Sequence, residues 1–221
     1  MFLKSTSESQ GHGKSWEIEI LTRLGINLEM LKTYKHTDIY DGKKEHLSYG
    51  KNLSIKTTKS MSLDCGDIIR FLTCSDLDII VIYYEQKMKK VKKAKNTYLI
   101  NHDLLIEKLK EDIPKIYNIT FEIWIDKIEE YVKRIKSIPN GKCSDKSYKK
   151  EKEALCKEIP YFNIAPKVDS GKQRRVQCSI NLNKINIDET YDGGIFKNIT
   201  YMKEIISEPR KRNKTKLGNV I

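Results

Sequence analysis

The chain has 221 residues, enough to bury a substantial core as one domain, with room for an appended subdomain. Lys and Arg number 42 against 30 Asp and Glu, giving a net charge of +12, which favours a polyanionic partner because bound lysines and arginines release phosphate counterions. The five Cys residues, 65, 74, 143, 156 and 178, are odd in number and lack zinc-knuckle spacing, and the four His form no short-range ligand pair, which argues against a disulfide-stapled or zinc-stapled domain.

Residues 1–12 are polar and read as a flexible N-terminus, and Met1-Phe2-Leu3-Lys4 opens no signal peptide. No apolar run reaches membrane-spanning length. These features together suggest a protein kept in the reducing cytoplasm, away from membranes. From Gly13 to Leu24 the apolar residues Trp16, Ile20, Leu21 and Leu24 recur at helical spacing, and Glu17 and Glu19 lie on the same turn. Tyr34–Tyr40 can form a strand, closed by the Asp41-Gly42 turn signal. Lys43–Lys51 reads as a polar loop.

Asn52–Thr58 reads as a strand with Ser54 and Lys56 on one face and Leu53 and Ile55 on the other. Asp64-Cys65-Gly66 reads as the lead into a short helix over 67–72. Leu77–Tyr84 is a nearly continuous β-branched and apolar run, the mark of a central strand buried on both faces. Lys87–Lys95 reads as a basic loop, and Thr97–Ile100 as a further strand. Leu104–Leu109, Phe121–Ile135 and Tyr148–Ile159 have helical patterns. Phe162–Ile187 reads as extended chain, and Val176, Cys178, Ile180 and Leu182 alternate with Gln177, Ser179 and Asn181. The tail 208–221 is basic and expected to fray.

An acid ahead of a strand that carries a lysine suits a metal-dependent phosphodiesterase. The carboxylate would hold the metal, and the lysine would sit beside the attacking water and the phosphate. The order Gly13-Lys14-Ser15-Trp16-Glu17, then Asp38, then Ser54-Ile55-Lys56 resembles the PD-(D/E)xK nuclease superfamily, and within it the type II restriction endonucleases. The resemblance covers about the first 85 residues. It implies an α/β fold, a mixed sheet flanked by helices over 13–110. A helical and β-ribbon extension over 111–207 would then face the DNA.

By this resemblance Asp38 matches the first metal-binding acid, Lys56 the lysine, and Glu17 a helical glutamate ahead of them. Two positions depart from the pattern. Thr37 replaces the usual proline, and Ser54 stands where a second acid is usual; a hydroxyl cannot supply a carboxylate's charge to a divalent metal. Some members with a serine-x-lysine strand recover the acid from the following helix. Asp67 lies eleven residues after Lys56, and Asp64 is nearby. Asp67 is therefore the expected replacement ligand. The resemblance further implies one or two Mg²⁺ ions and hydrolysis of double-stranded DNA to 5′-phosphate ends. A homodimer and a cognate DNA methyltransferase acting on the same sites are compatible with the family, although no residues display either.

A second cluster, Lys172-Gln173-Arg174-Arg175 with Gln177, has the side chains that bond base edges and phosphates, and an extended ribbon can enter the major groove. Set against these readings are ordinary ones. Asp38 could pair with Lys35 or Lys43, Lys56 could be an edge-strand lysine, Asp67 could cap its helix, and Glu17 could face solvent. The 172–177 segment could be a solvated turn, and coding bias could account for many scattered lysines, though not for the Arg174-Arg175 pair. A structure-specific or repair nuclease on the same core, or a non-catalytic nucleic-acid-binding protein, remains open beside the restriction-type reading.

Overall fold

A computed structural model describes residues 8–27, 29, 40–47, 50–86, 91–139, 147–168, 174–185 and 205–206. The helices are α1 (Glu8–Arg23), α2 (Ile68–Thr73), α3 (His102–Tyr117), α4 (Phe121–Ser137) and α5 (Ser147–Cys156). The strands are β1 (Asn52–Thr58), β2 (Ser62–Asp67), β3 (Leu77–Gln86), β4 (Val91–Asn101), β5 (Phe162–Lys167), β6 (Arg175–Asn181) and the short β7 (Ile205–Ile206). The fold is mixed α/β. One sheet has the order β1-β3-β4-β7 and a second has β2-β6-β5.

In the first sheet β1 runs parallel to β3, reached through β2 and α2, and β4 returns antiparallel. Strand alternation divides the core in two. On one face Leu53, Ile55, Ile80 and Ile82 pack with Trp16, Ile20, Leu21 and Leu24 of α1. On the other, Leu77, Ile79, Val81 and Ile100 pack with α3, α4 and the apolar face of the second sheet. The β-ribbon region thus shares a core with the central strand β3.

Local signals account for most boundaries. Asn101 and Thr120 cap α3 and α4 by accepting the Leu104 and Ile123 amides at 3.2 and 3.3 Å. Asn118 ends α3 in the left-handed conformation at φ 53°. The Trp124 indole donates to the Leu155 carbonyl at 2.9 Å, and the Tyr131 hydroxyl to the Tyr148 carbonyl at 3.1 Å, which join α4 to α5.

Four expectations are corrected. Helix α1 begins at Glu8, inside the stretch read as flexible. Ser62–Asp67 is a strand and not a helix lead, because it pairs with β6 more than a hundred residues later, with a bulge at Cys65 and Gly66 at φ 84°. Within the basic Lys87–Lys95 segment, residues from Val91 onward are strand. They pair with Glu85 and Gln86, and Lys95 meets Glu85 at 3.0 Å. Helix α3 runs past Leu109 through Pro114, held by buried Leu109 and Ile113. The Tyr34–Ile39 part of the expected strand and the tail 208–221 lie outside the described residues.

Candidate active site

Ser54 and Lys56 project from β1 on the same face as Ile79 and Val81, their register partners on β3. Ser54 is buried and Lys56 is half-buried. The acid that meets them is Asp41. Its Oδ2 accepts the Ile55 amide at 2.5 Å and the Ser54 hydroxyl at 3.2 Å, and lies 3.8 Å from Lys56 Nζ.

Backbone pairing puts Asp41 there. The Asp41 and Gly42 amides both donate to the Leu53 carbonyl, at 2.8 and 3.0 Å, and the Leu53 amide donates back to Gly42 at 2.7 Å. This antiparallel bridge fixes the acid against the first half of β1. Glycine at 42 lets the two backbones approach closely: a Cβ there would lie 2.8 Å from Leu21 Cδ2 and 3.0 Å from Leu47 Cδ1, so those side-chain tips would have to shift. In the sequence alone, Asp41 reads only as part of a turn. The available signal was that an acid-glycine pair just before a strand can also bridge back onto it.

The other candidate residues separate. Asp38 lies outside the described residues. Glu17 sits half-buried on α1, on the turn that carries Trp16 and Ile20 into the core. Asp67 caps α2, accepting the Arg70 amide at 3.1 Å, and belongs to the second sheet, opposite Gln177. Lys172 and Gln173 lie outside the described residues.

Arg174, expected among the DNA contacts, bonds backbone carbonyls within the fold. Its guanidinium donates to the carbonyls of Ile138 at 3.3 Å, Pro139 at 2.5 Å and Val168, clamping the segment after α4 to the end of β5. Arg175 is exposed opposite Lys167 at the start of β6, and Gln177 is half-buried.

Among the described residues no group of three or more His, Cys, Asp or Glu is placed to hold a metal. A magnesium ion takes one or two carboxylates and completes its shell with water and substrate phosphate. Asp41 is one such carboxylate, with its Oδ2 already engaged by the Ile55 amide and the Ser54 hydroxyl.

A second cluster imitates a nucleophilic triad but lacks its chemistry. Cys74 Sγ lies 3.5 Å from His102 Nε2, and His102 Nδ1 lies 3.8 Å from Asp103. His102 Nε2, however, donates to the Phe71 carbonyl at 2.7 Å, so that nitrogen cannot take a proton from the thiol. Burial pushes the Cys74 thiol up to about 11, away from the thiolate a nucleophile needs. Burial also lowers the His102 pKa.

Comparison with protein-family models, curated proteins and solved structures finds no match to this chain. No helix among the described residues is long and apolar enough to cross a membrane.

Proposed function

We propose that the protein is a metal-dependent, sequence-specific endonuclease of restriction type acting on double-stranded DNA. The observation that carries this reading is the meeting of the Asp41 carboxylate with Ser54 and Lys56 on β1. An acid and a lysine on adjoining backbone, at the edge of a mixed sheet in a chain of net charge +12, suit phosphodiester hydrolysis.

Asp41 would hold the Mg²⁺ ion, and Ser54 would orient the carboxylate without adding charge. A bound Mg²⁺ would supply Lewis-acid polarisation of the scissile phosphate. Lys56 would orient the attacking water and stabilise negative charge growing on the phosphate oxygens. Asp38 and Glu17 remain candidates for a second acid, and Asp67 would have to serve while capping α2.

The test is purified protein on plasmid DNA with Mg²⁺, with EDTA, and with Lys56→Ala. Discrete fragments that need Mg²⁺ and vanish in Lys56→Ala support the reading; undiminished cutting by Lys56→Ala overturns the site. One observation favours a second reading, a non-catalytic DNA-binding protein: Ser54 stands on β1 beside Asp41 where a second carboxylate would add charge for a metal. Binding without cutting by the wild type would select it.

A further inference from the structure

The β2-β6-β5 sheet has two unlike faces. Val176, Cys178 and Ile180 are at most 1% exposed and point into the core. Between them Gln177, Ser179 and Asn181 point the other way, and the register sets Asn163 beside Ser179 and Ser62 beside Asn181. In a chain that is 33% charged, β6 turns a row of uncharged amides and a hydroxyl outward. Asn and Gln pair with adenine through its exocyclic amino group and ring nitrogen, and a carboxylate accepts from the amino group of cytosine.

One end of this face descends into a cleft against α5 with a volume of about 490 Å³. Asn163, Ser179 and Asn181 line it from the sheet, and Lys152, Glu153 and Lys157 from α5 and the turn that follows. The sheet side is already ordered: Asn163 Nδ2 donates to Ser179 Oγ at 3.4 Å, and Asn181 Oδ1 accepts the Asn183 amide at 3.1 Å. Amides and a carboxylate on the walls, with lysines beside them, match a base edge joined to a phosphate.

We infer that this cleft receives one unstacked nucleotide of a DNA strand. Lys152 and Lys157 meet its phosphate, and Asn163, Asn181 and Glu153 read a base that carries an exocyclic amino group over thymine, which has none. The inference rests on the DNA-directed reading above and assigns part of its specificity to residues outside the 172–177 segment. Unstacking is costly in a duplex and much less so in a single strand, so single-stranded DNA is the direct probe.

The experiment measures binding of labelled dA, dC and dT oligomers of about twenty nucleotides to the full chain in EDTA, where cleavage does not intervene. Wild type should hold dA and dC about tenfold more tightly than dT. The double variant Asn163→Ala/Asn181→Ala should lose the preference for dA, and Glu153→Gln that for dC. Lys152→Gln/Lys157→Gln should weaken all three alike and flatten the salt dependence. Asn163 and Glu153 are exposed, so Asn163→Ala and Glu153→Gln should leave the thermal melt unaltered, whereas Asn181→Ala removes the acceptor of the Asn183 amide and should lower the melt slightly. Equal wild-type affinities, no binding, or a preference that survives the substitutions overturns the inference. Plasmid cleavage with no base preference removes the cleft and keeps the nuclease. A base preference without cleavage removes the nuclease and keeps the cleft.

Discussion

Asp41 Oδ2 accepts the Ile55 amide at 2.5 Å while lying 3.8 Å from Lys56 Nζ. The carboxylate is therefore held by the backbone of the strand that carries the lysine, so acid and cation keep their spacing before any substrate arrives. Asparagine at 41 can still accept the amide through its carbonyl but carries no charge. Asp41→Asn should fold normally and lose Mg²⁺-dependent plasmid cleavage on the order of a hundredfold or more. Asp38→Asn belongs in the same assay. Loss in Asp38→Asn with full activity in Asp41→Asn would return the metal-binding role to the acid first suggested by the sequence.

Gly42 controls the same spacing from the core side. A methyl group there meets the ends of the Leu21 and Leu47 side chains at 2.8 and 3.0 Å, inside a core where Leu21 is fully buried. Gly42→Ala should lower stability by about 1 kcal/mol, the low end for overpacking because both contacts are side-chain tips. It should also reduce cleavage more than that loss of stability explains, by moving Asp41 relative to β1. Denaturant melts read with the cleavage assay check this; unchanged cleavage per folded molecule would show that Gly42 acts on packing alone.

The guanidinium of Arg174 bonds the carbonyls of Ile138, Pro139 and Val168. Removing it leaves those carbonyls without their donor, so Arg174→Ala should cost about 1–3 kcal/mol. Arg174→Lys should recover little, because a single ammonium cannot span a fork of three acceptors. The salt dependence of DNA binding should not change. Arg175→Ala should do the opposite, keeping the melt and reducing the salt slope. A reduced slope in Arg174→Ala with an unaltered melt would restore it to the DNA contacts.

His102 gives the protein an acid-sensitive point. The ring is fully buried, Nε2 serves the Phe71 carbonyl, and Nδ1 has no hydrogen-bond partner. Burial holds its pKa below the ordinary value of 6.5, opposed by the Phe71 carbonyl and by Asp103 and Asp78. The unfolded chain then binds more protons than the native one as pH falls below about 6.5. The contribution to stability is complete above that pH and is lost as pH falls through the window beneath it. The melting temperature should drop as pH falls below about 6.5, and His102→Gln, which keeps a donor for Phe71, should shrink that drop. Equal drops in both proteins would place the acid sensitivity elsewhere.

Much of the fold was legible because local pattern and final burial agree. Trp16, Ile20, Leu21 and Leu24 recur at helical spacing and form one side of the core, and the apolar run of β3 is buried on both faces. Val176, Cys178 and Ile180 alternate as a half-buried strand must. Strands β2 and β4 are only partly legible because their sequences are polar or lysine-rich. What makes them strands is pairing with β6 and β3, which no local window contains.

The same division runs through the candidate site. Sequence alone determined that Ser54 and Lys56 share a face of β1, because alternation along a strand is a property of its own backbone. Which carboxylate meets them was decided by tertiary structure, through the bridge between Gly42 and Leu53 that brings Asp41 to the Ile55 amide. Tertiary structure also decided that Arg174 faces three carbonyls and that Asn163 and Asn181 share a cleft with α5. Charge and residue type are written in the chain. The partner of each charge depends on which distant backbone lies within about 3 Å of it, and folding alone sets that distance.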